Sequence, residues 1–286
     1  MELFLDLLRS VVYGVIEGIT EWLPISSTGH MILAEQVLKF SLSAEFMEMF
    51  RVVIQLGAIL AVVVMYFKKL WPFCVDNGRD SGLAKHVRWP VMRLWFKIIV
   101  ACLPAAVLGL ALDDWIDAHF YNSVVVAVML IVYGIAFILI ERRPRVPTTT
   151  KLSRITYRQA LIVGAWQVLA LIPGTSRSGA TIIGGLLCGM SRACASQFTF
   201  FLAIPVMAGA SGLKLVKFLV GGGVFTVAEI GALLVGCIVA FVVSIMAIRF
   251  LMDYVKKHTF TIFGWYRIAL GILVLGIWAL QSFVLA

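Results

Sequence analysis

The stretch "EGITEWLPISSTGH", residues 17–30, gathers two glutamates, two serines, two threonines and a histidine. Glu17 and Glu21 stand four apart, so on a helix they share one face. Paired carboxylates suit a hard divalent cation, Mg2+ or Ca2+, which takes oxygen ligands. The competing use of the same charges is a structural ion pair with Arg177 or Arg51. Ser26, Ser27, Thr28 and His30 follow directly. A serine hydroxyl attacks phosphorus when a base takes its proton, and a histidine serves as that base or as the attacking group itself. A second stretch, "PGTSRSGAT" (residues 173–181), sets Arg177 among Thr175, Ser176, Ser178 and Thr181, ahead of an apolar helix. The guanidinium fork matches phosphate oxygens, and the helix N-terminus adds unpaired N–H groups and a positive dipole end. A polar helix cap joined to the glutamates by a salt bridge is the plainer reading of that stretch. Taken together, the carboxylates with a metal and the arginine with an anion hole describe a site for a phosphate or diphosphate.

This chemistry sits in an apolar chain. Of 286 residues, 62% are hydrophobic and 14% charged, against the quarter or so that a soluble surface carries. The mean hydropathy is +1.01. Runs such as Ser123–Ile140 and Ile268–Ala286 approach the roughly 20 residues that cross a bilayer as a helix. The chain therefore reads as an all-α polytopic membrane protein. The opening "MELFLDLLRS" carries Glu2 and Asp6 where a cleaved signal has positive charge, and no small-residue cleavage site follows. Cys74, Cys102, Cys188, Cys194 and Cys237 show neither metal spacing nor a disulfide framework, and read as packing residues.

The net charge of +9 raises nucleic acid as a partner, and its distribution argues against it. Basic residues fall in three loops: Lys68 to Lys97 (with Lys69, Arg79, Lys85, Arg88 and Arg93), Arg142 to Arg158 (with Arg143, Arg145, Lys151 and Arg154), and Lys256 with Lys257. The "DDWID" loop, Asp113 to Asp117, is acidic, and "GGG", Gly221 to Gly223, is neutral. The positive-inside rule then places the basic loops in the cytoplasm. Six crossings are expected, at 50–67, 95–112, 122–140, 197–219, 225–250 and 262–285, alternating inward and outward from the first.

Residues 3–38 and 157–191 are apolar too, but each is broken in its middle by the motifs above. Irregular backbone at membrane depth survives only where protein buries it or it lines a watery cavity, so both read as re-entrant hairpins. A slide of 150 residues brings Gly14 onto Gly164, Glu17 onto Gln167, Ser26 onto Ser176, Thr28 onto Ser178 and Gly29 onto Gly179. Farther on it brings Phe50 onto Phe200, Ile54 onto Ile204 and Ala58 onto Ala208. The chain thus reads as one membrane domain, residues 1–286, made of two repeats, 1–150 and 151–286. Each repeat is a hairpin plus three crossings. Three crossings invert the second copy, so the hairpin tips are expected to meet near the midplane.

Some charged residues invite over-reading. "DDWID" fits the DDxxD pattern by which prenyl-diphosphate synthases hold magnesium, but a single copy reads as a solvated acidic turn. His86, His119 and His258 read as solvated loop residues, and Lys214, Lys217, Glu229, Arg249 and Arg267 as snorkelling or pairing across helices.

The two motifs, with "IQLGAILAVVV" (Ile54 to Val64) and "GWYRIALG" (Gly264 to Gly271), resemble the bacitracin-resistance-type undecaprenyl-pyrophosphate phosphatases of bacteria. The likeness runs along most of the chain and is weakest from Trp71 to Arg93. It implies an inner-membrane enzyme that removes the terminal phosphate of undecaprenyl pyrophosphate with a divalent metal, at a site facing the periplasm. It further implies that the product re-enters peptidoglycan and envelope synthesis, that bacitracin competes for the substrate rather than binding the protein, and that the protein dimerises. The family's roles fall on Glu17 and Glu21 of the first motif and on Ser27 and His30 after it. In the second motif they fall on Ser176, Arg177, Ser178 and Thr181. The expected assignment is Glu17 and Glu21 as metal ligands and Glu21, Ser27, His30 and Arg177 as catalytic residues. Ser26, Thr28, Thr175, Ser176, Arg177, Ser178 and Thr181 are expected to bind substrate. Whether Ser27, His30 or water attacks stays open. The rival reading is a transporter that flips undecaprenyl phosphate, its glutamates relaying protons or ions.

Overall fold

The computed structural model describes residues 2–75, 78, 82–143 and 146–284. Among them the chain is helical, with short 3-10 turns, no strand, and two isolated bridges, Phe73 to Val87 and Thr149 to Met190. The helices are α1 (Glu2–Thr20), α2 (Ser27–Val37), α3 (Ala44–Val53), α4 (Gln55–Met65), α5 (Phe67–Leu70) and α6 (Trp89–Phe120). They continue with α7 (Ser123–Arg142), α8 (Tyr157–Val168), α9 (Arg177–Leu187), α10 (Arg192–Val220), α11 (Val227–Lys257) and α12 (Thr261–Val284). Arg79, Arg145 and residue 285, which figure in the expected loops and last crossing, lie outside the described residues.

Six helical segments are long and apolar enough to cross a membrane: Ala44–Met65, Trp89–Leu112, Ser123–Arg142, Arg192–Val220, Val227–Lys257 and Thr261–Ser282. They match the six expected crossings. The first begins earlier than its apolar run, because Ser43 caps α3 by accepting the Phe46 N–H at 3.2 Å. Two other starts are fixed by capping boxes, Thr156 with Gln159 for α8 and Thr226 with Glu229 for α11.

The acidic "loop" is corrected. Residues 113–117 lie inside α6, which runs on to Phe120 because no helix breaker intervenes. The side chains of Asp113, Asp114 and Asp117 lie outside the described residues. His119 accordingly sits in the last turn of α6, and Arg93 and Lys97 are helical as well.

Both interrupted stretches break where the motifs fall, between α1 and α2 and between α8 and α9. The limbs α2, α8 and α9 are 11, 12 and 11 residues, at most about 18 Å each. At 19 residues α1 is longer than expected, about 28 Å, and its Glu2, Asp6, Arg9 and Glu17 set it apart from the crossing helices.

Close helix contacts hold these limbs. α1 lies on α11, and α8 lies on α6. A Cβ at Gly14 would come within 2.7 Å of the Gly236 carbonyl oxygen, and one at Gly18 within 2.9 Å of that of Ala240. This is the small-residue spacing that lets membrane helices touch backbone to backbone. Gly164 meets the backbone of Ala101 in the same manner, and Gly57 of α4 meets Cys237 of α11. Between the helices the broken stretches are buried: Trp22 is packed edge-on to Phe200 at 5.3 Å, in one apolar cluster with Ile182, Ile183, Phe198 and Phe201. The outside carries exposed apolar side chains, among them Leu60, Val107, Leu110, Val128, Leu139 and Val216. A lipid-facing surface needs them.

The α4–α11 contact leaves no room for a side chain. Gly57→Leu is expected to lower the thermal midpoint of detergent-purified protein by at least about 5 °C. Gly276→Leu, where a Cβ meets nothing within 4 Å, serves as control and leaves the midpoint within about 1 °C. An unchanged midpoint in Gly57→Leu would contradict the contact.

Candidate active site

The two turns meet. Each opens a helix with a serine in the left-handed region: Ser26 before α2 and Ser176 before α9, both at φ 71°. Non-glycine residues rarely hold that conformation unless their surroundings impose it. Gly174, at φ 90°, is pressed against the backbone of Val126 in α7, a place closed to any side chain.

Arg177, the first residue of α9, reaches across to the first motif. Its Nε and a terminal nitrogen donate to Glu21 Oε1 at 3.2 and 3.0 Å. Its other terminal nitrogen donates to the Thr199 carbonyl at 3.0 Å, and the group lies over the Trp22 ring at 5.9 Å. The second carboxylate oxygen of Glu21 accepts the Ser27 hydroxyl at 3.2 Å. Ser178 donates to the Leu23 carbonyl at 3.3 Å, a second tie between the turns. Ser176 Oγ lies 3.1 Å from Ser178 Oγ and accepts the Gly179 N–H. Thr181 donates to the Arg177 carbonyl and accepts from Thr199 at 2.9 Å. Of the two ion-pair partners weighed for the glutamates, Arg177 takes Glu21, while Arg51 pairs with Glu35.

Other expected residues stand apart from this chain of bonds. Glu17, 1% exposed, is within electrostatic reach of Glu21 and Arg177, yet its Oε1 accepts no hydrogen bond from the described residues. Ser26 Oγ and Thr175 Oγ1 are buried and likewise without a bond. Thr28 is half-buried in the first turn of α2. His30 is not bonded to Ser27. Its Nδ1 binds the Ser26 carbonyl at 2.7 Å and its Nε2 the Tyr266 hydroxyl at 2.7 Å, with the two rings stacked.

Arg267 departs furthest from expectation. It neither snorkels nor pairs with a carboxylate; it is wholly buried and donates to backbone carbonyls. One terminal nitrogen binds Pro24 in the first turn at 3.2 Å, and the other binds Gly174 and Thr175 in the second at 2.9 Å each. Longer bonds reach Leu130 and Met129 of α7, and the group lies 5.5 Å from the Tyr133 ring. An arginine inside an apolar helix is costly, and "GWYRIALG" displayed that signal; composition alone did not say what it would bind. Thr199 and Tyr266 gave no such sign. Lys214 pairs with Glu48 as expected, and Glu229 caps α11 and accepts from Ser43.

Chemically, the site gathers the first residues of two helices, Ser27 of α2 and Arg177 of α9, on Glu21, and a helix N-terminus and a guanidinium each favour an anion. Glu21 is placed to take a proton from Ser27. No group of three or more Asp, Glu, His or Cys lies together among the described residues. A buried, unbonded carboxylate oxygen on Glu17 nonetheless fits a hard cation that takes its remaining oxygens from phosphate.

The family described as "Bacitracin resistance protein BacA" matches residues 10–273. A protein of Enterococcus faecalis named "Undecaprenyl-diphosphatase" is 59% identical over 278 residues, 96% of this chain and 99% of its own length. Proteins of the same name are 57% identical in Lactococcus lactis subsp. lactis, over 95% of this chain and 96% of theirs, and in Desulfitobacterium hafniense, over 94% and 95%.

Arg267→Met would leave the turn carbonyls of Pro24, Gly174 and Thr175 without their donor, at about 1–3 kcal/mol for each buried acceptor. The expected outcome is a loss of at least about 3 kcal/mol, seen as a collapsed melting midpoint or as failure to purify monodisperse protein. Arg267→Lys, which keeps a donor, loses less. Equal stability of Arg267→Met and the parent would contradict the clamp.

Proposed function

This chain belongs to the bacitracin resistance protein BacA family, and on that footing we propose that it hydrolyses undecaprenyl pyrophosphate to undecaprenyl phosphate and inorganic phosphate. The recovered lipid phosphate re-enters peptidoglycan and envelope polymer synthesis. The observation that carries this reading is the continuous chain Arg177–Glu21–Ser27, which joins an anion-binding turn to a hydroxyl with a proton acceptor already attached. The names of its relatives supply the substrate.

The chemistry is a double displacement. The diphosphate lies between the N-termini of α2 and α9, with Arg177, Ser176, Ser178 and Thr181 toward its oxygens and Ser26, Thr28 and Thr175 lining the approach. Ser27 Oγ attacks the terminal phosphorus as its proton passes to Glu21. The bond from phosphorus to the bridging oxygen breaks, and undecaprenyl phosphate leaves as an anion. Water then attacks the phosphoserine. The proton on Glu21 returns to Ser27 Oγ, and phosphate leaves with both protons of the water. A divalent cation, Mg2+ or Ca2+, would be held by Glu17 and Glu21, and when bound it would neutralise phosphate charge. A substrate of this kind can leave its long tail in the bilayer and insert only its headgroup, whose charge the site offsets.

The architecture is read as two inverted repeats, 1–150 and 151–286, with α1–α2 and α8–α9 re-entrant. Supporting it are the matched serines at φ 71° and the exchanged packing, α1 on α11 and α8 on α6. The positive-inside distribution of Lys and Arg supports basic loops in the cytoplasm and a site opening to the other side of the bacterial inner membrane. Bacitracin would act by competing for the lipid, and a homodimer is the oligomer proposed.

Phosphate release from undecaprenyl pyrophosphate by the purified protein tests this. Release is expected to stop with EDTA and to return with Mg2+ or Ca2+. Arg177→Ala and Ser27→Ala are each expected to lower kcat by at least about a hundredfold. Near-normal turnover in Ser27→Ala would sink serine attack, and EDTA-resistant release would sink the metal. No release under any metal would turn the reading to a lipid flippase, assayed in proteoliposomes.

A further inference from the structure

The two turns share a backbone shape but are held differently. At the second, Ser176 supports its own left-handed conformation: its carbonyl accepts the Ala180 N–H at 2.9 Å and its Oγ the Gly179 N–H at 3.2 Å. At the first, Ser26 makes no side-chain cap bond. Its carbonyl is bound by the His30 ring, through Nδ1 at 2.7 Å. A carbonyl oxygen only accepts, so Nδ1 carries the proton, and in the neutral ring that leaves Nε2 unprotonated. That nitrogen meets the Tyr266 hydroxyl at 2.7 Å, which must then donate. The rings are stacked at 5.6 Å with 8° between their planes, fixing the imidazole's tilt as well as its tautomer. The neighbourhood is closely packed: a Cβ at Gly29 would meet a Leu130 methyl of α7 at 2.9 Å and a Leu270 methyl of α12, one turn beyond Tyr266, at 3.5 Å.

Both ring nitrogens of His30 are therefore engaged away from Ser27, whose proton already points at Glu21. We propose that Tyr266 and His30 form a brace that holds the strained Ser26 turn, and that Tyr266 is a positioning residue for Ser27 acting through His30. The inference rests on the reading of Ser27 as the attacking group. It reassigns His30 from proton acceptor to the support that Ser26 cannot give itself. The brace also accounts for the place of Tyr266: neighbouring residues of α12 serve the site, Tyr266 holding the first turn and Arg267 joining both.

The test compares the full-length parent with Tyr266→Phe, His30→Gln and the double variant, all in detergent with the metal present. Tyr266→Phe keeps the stacked ring and removes only the donor. It is expected to lower kcat by roughly tenfold, short of the about hundredfold that a displaced reacting group costs, with KM within about twofold. The double variant is expected to be no slower than His30→Gln, because the hydroxyl acts only through the imidazole. In 15N spectra, with His30 assigned by its loss in His30→Gln, the Nε2 resonance of the neutral ring moves downfield in Tyr266→Phe, as an acceptor nitrogen does on losing its donor. An unmoved resonance overturns the brace whatever the activity. A moved resonance with unchanged kcat, or effects that add in the double variant, overturns the positioning role. If the parent releases no phosphate, the proposed hydrolysis fails, the inference about Ser27 falls with it, and the resonance still decides whether the hydrogen bond exists.

Discussion

Two irregular turns buried among helices leave carbonyl groups that no helix satisfies, and one guanidinium takes three of them. Arg267 binds Pro24 on one side and Gly174 and Thr175 on the other, so the distance between the turns is set by the span of a planar, rigid fork. A lysine would supply charge without that geometry. With the turns held, Arg177 can reach Glu21 and Ser178 can reach Leu23; neither bond would form between turns free to drift. The helix contacts at Gly14, Gly18 and Gly164 serve the same end from outside, bringing α1 and α8 close enough to their supports to hold the limbs in place.

That arrangement resolves the difficulty of so much polar chemistry in an apolar chain. A buried carboxylate and a buried arginine are each expensive alone, and a pair with complete hydrogen bonding is far less so. Here Glu21 is nearly saturated, by Arg177 on one oxygen and Ser27 on the other. Glu17 is not. The imbalance gives the two glutamates different work in the proposed reaction. One is bonded to Ser27 and Arg177, and the other would, in that proposal, receive the cation. Their shared helical face gives both as metal ligands in the sequence, with a catalytic role expected of Glu21 alone.

Much of this was legible beforehand because it depends on short-range rules. Apolar run length gave the crossings, proline and glycine gave the breaks, and the cost of intramembrane charge pointed to Glu17, Glu21 and Arg177. What escaped depends on three-dimensional contact. Arg267 reads in the sequence as snorkelling or pairing across helices, because backbone carbonyls as partners leave no trace there. Tyr266 resembles any aromatic residue of an apolar helix until its hydroxyl is seen on His30. The acidic run at 113–117 reads as a loop because the apolar run stops at 112, whereas the helix carries on to Phe120.

In the proposed two-repeat reading, the two turns also show what a duplicated element keeps and what it changes. Positions 26 and 176 are both serine and share one left-handed backbone angle, each directly before the helix that follows. The positions around them differ. Glu17 corresponds to Gln167, Ser27 to Arg177 and His30 to Ala180. Carboxylate, hydroxyl and imidazole thus collect on one turn and the guanidinium on the other. A two-fold-related pair of identical turns would have set arginine against arginine or glutamate against glutamate across the junction. Like charges at that depth repel with little screening. The differences at the neighbouring positions place Arg177 against Glu21 instead, and in the proposed reaction both helix N-termini serve one anion. The first turn, having given its serine no cap bond, then needs support from elsewhere, and the imidazole held by α12 supplies it.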